Sequence, residues 1–350
     1  MSRTTTATPP VFVVGASAGG VEALRDLSAA LPADFPGCVL VVLHVPATAT
    51  SVLPAILDRA GPLPARLAVE GLSLRAGEIL VAPPDHHLIV ADGAVTLSRG
   101  PQENGHRPSV DVLFRSAARA QGANVTGVVL SGSLDDGAAG MITIKSRGGR
   151  ALVQAFDEAL YDGMPRAAAA VAPVDAVLTI KEIAERLVEI AADPPDPATT
   201  PDPAAPDPAA PSPLTDMETA MADLDPGAMH DHDRPGEPSG FACPDCHGAL
   251  FEIAEGGLVR YRCRVGHAWS PESLVAQQTV SLESALWMAL RSLEEKAALT
   301  RQLAERAVDD GRDLSAGRFR ETELDTLRAA ELVRTLIDDI GNAVRSAPGA

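Results

Sequence analysis

The chain is short of cysteine, of aromatic residues, of positive charge and of long apolar runs. Its four cysteines in 350 residues are too few for a disulfide scaffold, and three of them stand between positions 243 and 263. That clustering points to a metal site in a reducing compartment. No apolar stretch approaches the roughly 20 residues needed to span a bilayer. The opening "MSRTTTATPP" has no apolar core ahead of a small-residue cleavage site, so it does not read as an export signal. A cytoplasmic protein that is not membrane-inserted is expected. Lys and Arg number 29 against 47 Asp and Glu, a net charge of −18. Residues 193–240 alone hold 11 acidic residues and one Arg, so the remainder is only mildly acidic and a nucleic-acid partner is not indicated.

Four segments differ in composition. Residues 10–192 alternate short apolar runs ("VFVV", "VLVVLH", "VTGVVLS", "ALVQAF") with helical patterns such as Val21, Leu24, Leu27, Leu31 and Val110, Leu113, Phe114, Ala117. Runs without polar alternation suit strands buried on both faces. Strand–helix alternation predicts an α/β fold, a doubly wound and mostly parallel sheet with helices on both faces. "HHLIVADGAVTLSR" reads instead as a β-hairpin turning at Asp92-Gly93, with at least one of His86 and His87 a plain hairpin residue. Residues 193–240, rich in Pro, Ala and Asp, predict an extended, disordered linker, and His230 to Asp233 within it reads as solvated rather than metal-binding. A Cys/His segment follows at 241–269. Then 270–347 predicts a helical hairpin, begun by the Ser270-Pro271 cap pair. Its apolar stripes are Leu282, Leu286, Leu290, Leu293, Ala297 and Leu332, Val333, Leu336, Ile337, Ile340, with Gly311 and Gly317 marking the turn.

The turn "GASAGG" after the first strand admits two readings. A dinucleotide fingerprint needs a glycine where Ser17 stands and an acidic residue at the end of the second strand, where "VLVVLHVP" ends in a histidine. It fails at both places. Gly15-Ala16-Ser17-Ala18-Gly19 is instead a literal G-x-S-x-G on a strand-to-helix turn, able to expose a serine hydroxyl beside helix N–H donors. A hydroxyl needs a base, and the base needs an orienting group. His44 ends the next strand, and Asp135 and Asp136 follow the strand at 125–130, so all three reach the same rim of a parallel sheet. The order Ser, His, Asp is not that of ordinary α/β-hydrolases.

These residues, with "LHVP", "ILVAPPDHHL", "RPSVDVLF", "LSGSLDDGAAG" and "DGMPRAA" in this order, resemble the catalytic domain of CheB, the chemoreceptor protein-glutamate methylesterase family. The resemblance covers about residues 10–190. It implies hydrolysis of glutamate γ-methyl esters on receptor cytoplasmic helices or another methylated signalling protein, and some members also deamidate receptor glutamines. It implies Ser17 as nucleophile, His44 as general base and Asp136 as orienting carboxylate, with Asp135 on a variable position and Arg107 in a motif suited to steering a carboxylate-rich substrate. Backbone N–H groups of Ala18 and of Ser133 are the candidate oxyanion donors. Where the family has T-G-M-G-x-D-G this chain has S-G-S-L-D-D-G, and Leu134 is expected to reroute the backbone before Asp136, since leucine takes positive φ at a cost. The family's usual receiver domain has no room ahead of a first strand at residue 11, so another mode of control is expected.

In the Cys/His segment, Cys243-x₂-Cys246 and Cys263-x₃-His267 lie 16 residues apart and can close tetrahedrally on one structural Zn²⁺. His247 is a rival fourth ligand, disfavoured by its adjacency to Cys246. Three Arg against four acidic residues over 241–275 leave no nucleic-acid footprint, so a protein partner is expected for this module. Catalysis itself needs no cofactor. The sequence thus predicts a methylesterase whose residues 193–350 are dispensable for chemistry. The competing class is a non-catalytic signalling adaptor that keeps the fold.

Overall fold

A computed structural model describes residues 9–193, 213–225, 227–228, 236–255 and 257–346. The chain divides into two compact units between Leu274 and Val275. His230 to Asp233 lies outside the described residues.

The first unit is built on β1 (Val11–Ala16), β2 (Cys38–Leu43), β3 (Ala65–Leu67), β4 (Glu78–Val81), β7 (Val125–Val129), β8 (Arg150–Gln154) and β9 (Ala176–Leu178). They form one sheet in the order β3-β4-β2-β1-β7-β8-β9, parallel throughout. The period-2 alternation of strand side chains sorts β1 cleanly. Phe12, Val14 and Ala16 join a core with α1 (Gly20–Ala30), α2 (Leu53–Ala60) and α6 (Ile180–Ala192). Val11 and Val13 join the opposite core with α3 (Val110–Gln121), α4 (Ala138–Ser146) and α5 (Gly163–Val171). Cys38 is wholly buried in that second core, and burial pushes its thiol up to about 12. The expected hairpin is β5 (His87–Ala91) with β6 (Ala94–Ser98), turning through Asp92 and Gly93 at φ 49° and 73°.

β1 is flanked by β2 on one side and β7 on the other, so the strand order reverses its direction there. In open α/β sheets a crevice opens at the carboxyl ends of the strands at such a point.

The expected extended linker is not extended throughout. Residues Pro213–Ala222 form α7, which packs on α3 and buries Glu218 to 1 % exposure. Propensity and composition favoured a solvated chain there, but buried ion pairs described below override them. The Cys/His segment is a four-stranded antiparallel sheet in chain order, β10 (Glu237–Ala242), β11 (Ala249–Glu255), β12 (Leu258–Cys263) and β13 (Ala268–Trp269).

Helix α8 (Pro271–Asp309) has its first turn in the first unit, which ends at Leu274; in the second unit it packs with α9 (Asp313–Ser346), Leu290 against Ala330 and Ile337, with Leu286, Leu293 and Val333 beside them. Leu282, Leu332 and Leu336 point outward despite belonging to the predicted stripes. Gly311, at φ 71°, does make the turn, whereas Gly317 lies inside α9. No helix among the described residues is long and apolar enough to cross a membrane.

Candidate active site

β1 and β2 are in register to Ala16 and Leu43, so Ser17 and His44 are the next residues on neighbouring strands, with main chains roughly 5 Å apart. His44 N–H donates to Ala16 O at 3.2 Å, and Ser17 N–H to Ser131 O at 2.9 Å, which pins the turn to the end of β7. A Cβ added to Gly132 would stand 3.0 Å from Ser17 Cβ and 2.1 Å from Met164 Sδ, so only glycine lets this backbone pass so close. The N–H groups of Ala18 and Ser133 donate to no protein acceptor among the described residues, while that of Gly132 is given to Tyr161 O.

Asp136 is buried and accepts from five donors. These are His44 Nε2 (2.7 Å), Ser109 Oγ (2.9 Å), Asn104 Nδ2 (3.2 Å) and the N–H groups of Val110 (2.7 Å) and Asp111 (3.1 Å), the last two opening α3. Burial alone would raise its carboxyl, but the His44 hydrogen bond and charge, His106 and the Val110 N–H outweigh it and hold it well below the carboxylate range. With Nε2–H donating to Asp136, the neutral form of the His44 imidazole carries its lone pair on Nδ1. That Nδ1 is buried without a hydrogen-bond partner, and Ser17 Oγ makes no hydrogen bond to His44 among the described residues.

His106 was not singled out by the sequence. Its ring stacks on His44 with centroids 3.6 Å apart and planes at 13°, and burial with the charge of His44 pulls it down to about 4. It sits on a tight turn, Glu103-Asn104-Gly105-His106, with Asn104 and Gly105 at φ 53° and 76°. Asn-Gly favours this type I′ geometry, and the dipeptide was a legible signal. His87 is wholly buried, bonded to Pro101 O at 2.9 Å. Arg107 pairs with Asp85 (Nε at 2.9 Å) and donates to Gly100 O at 2.8 Å, so it is engaged in loop structure rather than offered to a carboxylate.

Leu134 takes φ 62° with its side chain 41 % exposed, so the leucine adopts left-handed geometry and its cost is accepted. Leu134→Gly is expected to raise unfolding stability by about 1 kcal/mol, readable from urea denaturation.

Asp135 turns away from His44 and accepts from Ser270 Oγ at 2.7 Å. Burial, then the Glu272 and Asp136 charges, push its carboxyl from 3.8 up to about 7 against the opposing Ser270 bond. A raised carboxyl is stabilising when protonated. Its contribution is full below about pH 3.8, falls as pH climbs to about 7, and is gone above that. Urea midpoints measured from pH 4.5 to 8 should fall less for Asp135→Asn than for the native chain.

The ligand atoms of Cys243, Cys246, Cys263 and His267 all lie within 4.8 Å of one another. Cys246 and Cys263 sulfurs are 3.6 Å apart, and His267 Nδ1 is 3.7 and 3.5 Å from those of Cys243 and Cys263. A tetrahedral zinc with Zn–S near 2.3 Å sets such edges at about 3.5–3.8 Å, so the residues fit that ion. His247 is exposed and outside the cluster.

Ser17, His44 and Asp136 thus stand together at the carboxyl edge of a doubly wound parallel sheet. Comparison with known proteins gives the family. The model of the CheB methylesterase family matches residues 12–187, half of the chain, and the chain belongs to that family. It is 40% identical over 189 residues to protein-glutamate methylesterase/protein-glutamine glutaminase 1 of Geobacter metallireducens, covering 53% of this chain and 52% of the relative. It is 44% identical over 179 residues to protein-glutamate methylesterase/protein-glutamine glutaminase 3 of Anaeromyxobacter dehalogenans, covering 51% and 52%. The chain spans about half the length of the curated relatives it matches. The crystal structure of the Thermotoga maritima CheB methylesterase catalytic domain superposes with a TM-score of 0.51 at 30% identity, covering 53% of this chain and all of that one.

Proposed function

We propose that this protein hydrolyses glutamate γ-methyl esters on chemoreceptor-like signalling proteins, in the cytoplasm, with Ser17 as nucleophile, His44 as base and Asp136 as orienting carboxylate. The observation that carries the reading is the 2.7 Å bond from His44 Nε2 to Asp136, which leaves Nδ1 as a lone-pair acceptor one strand from Ser17. Ser17 Oγ attacks the ester carbonyl as its proton passes to Nδ1. The carbonyl oxygen, now negative, is met by the uncommitted N–H groups of Ala18 and Ser133. The C–OCH₃ bond breaks, methoxide takes the proton from Nδ1 and leaves as methanol. Water, deprotonated by the same nitrogen, then releases the glutamate carboxylate and restores Ser17. A glutamine side chain in the same position would release ammonia by the same steps.

The test is methanol release from a methylated receptor fragment by the full chain. Turnover is expected, and a folded chain that releases none sinks the reading. Failure of a fluorophosphonate to label that folded chain at all favours the adaptor.

The Cys243, Cys246, Cys263 and His267 set would hold a structural zinc, supplying cross-links to a small sheet and no chemistry at the rim. Prolonged chelation should unfold β10 to β13, seen as lost hydrogen-exchange protection there.

A further inference from the structure

We propose that Asn104 is a positioning residue for Asp136, and that the C-terminal module completes the active site by holding Asn104 in place through Ser270 and Ser273. This inference rests on the esterase reading of the same site.

The two ends of the Asn104 amide are committed to different parts of the chain. Its Nδ2 donates to Asp136 Oδ1 and to Asp111 Oδ2, both at 3.2 Å. Its Oδ1 accepts from Ser270 N–H at 2.9 Å and from Ser273 Oγ at 3.0 Å. Two carboxylates on one side and an N–H on the other fix which atom is the nitrogen. One planar group therefore spans from the carboxylate on His44 to the first turn of α8, 166 residues further along. Ser270 and Ser273 are themselves fixed, since Ser273 N–H donates to Ser270 Oγ at 3.0 Å as a helix cap.

The main chain repeats the connection. Asn104 N–H donates to Ala268 O at 2.8 Å, and Ala268 N–H to Gln102 O at 3.3 Å. Glu103 joins Arg115 of α3 at 2.6 Å and Arg262 of β12 at 3.0 Å. The same turn presents His106 to the His44 ring. A shift of the module would move the turn that touches both His44 and its carboxylate. Residues 193–350 are on this reading not dispensable for the chemistry, contrary to the expectation from sequence.

The test uses the full chain. Asn104→Gly removes the amide while keeping a residue at ease with positive φ, so the turn survives. Ser273→Ala removes one donor to Oδ1 from the module side, and Ser273→Thr keeps it. Fluorophosphonate labelling of Ser17 and kcat for a methyl ester should fall roughly a hundredfold in Asn104→Gly and roughly tenfold in Ser273→Ala, the scale of a small misplacement of catalytic groups. KM should stay within about twofold, and Ser273→Thr should restore the rate. Unchanged labelling in both Asn104→Gly and Ser273→Ala overturns the inference, as does a loss in Ser273→Ala that threonine does not restore. A native chain that labels at Ser17 yet releases no methanol defeats the esterase reading alone, because the labelling rates still decide the role of Asn104. A folded native chain that does not label defeats both.

Discussion

Ser17→Ala is expected to lower kcat for methyl-ester hydrolysis by about four to six orders of magnitude and to abolish fluorophosphonate labelling, with little change in stability. On the proposed mechanism the size follows from removing the attacking atom, since loss of a triad serine costs on the order of 10⁶ in a comparable hydrolase. Stability should hold because Ser17 lies partly open at the rim and its fixed bonds are main-chain ones, to Ser131 O and from Gly20 N–H. The companion change Asp136→Asn should cost about 10⁴. An amide at that position cannot be an acceptor for Nε2 and also serve Ser109, Val110 and Asp111, so the imidazole loses the tautomer that leaves Nδ1 free. Methanol release and intact-mass labelling check both. Residual turnover near the native rate in Ser17→Ala would remove Ser17 from the mechanism.

Glu218→Ala is expected to destabilise the first unit by about 3–5 kcal/mol, the range for stripping one partner from a buried ion pair. Glu218 is 1 % exposed and bonds Arg260 Nη1 at 2.6 Å and Arg262 Nη2 at 3.1 Å, with Arg115 Nε 4.0 Å away. Burial works against its ionisation, yet the three guanidinium groups hold its carboxyl well below the usual range. Without it, Glu103 would be left as the carboxylate paired with both Arg115 and Arg262. Urea denaturation reads the loss, and hydrogen exchange should localise it to α7 and β12. Because β12 also carries the contact to Glu103, labelling at Ser17 should slow as well. A midpoint unchanged within error would mean that water already reaches these charges.

Much of this arrangement was legible in the sequence because the parallel sheet forces it. A residue that ends a strand beside another strand's end must share its rim, so Ser17, His44 and the 135–136 pair needed no tertiary knowledge to be brought together. Which aspartate faces the imidazole was decided by local geometry. Asp136 is caught by the first N–H groups of α3, while Asp135 is drawn to Ser270. Asn104 and His106 were missed because they sit on a turn, and a turn's side chains acquire partners only when distant segments close on it. Helix α7 was missed for a related reason. Its ten residues follow a Pro- and Asp-rich stretch, and what orders them is Glu218 meeting arginines that lie 42 and 44 positions away.

The placement of Cys38 gives an experimental handle. Sealed beneath the sheet with a thiol that stays protonated in neutral buffer, it is hidden from alkylating reagents for as long as the α/β layer remains folded. Cys243 and Cys263 are buried as well and only Cys246 is partly open, so native-state alkylation followed by peptide mapping should mark Cys246 and spare Cys38. An adduct on Cys38 would announce that the sheet itself had opened.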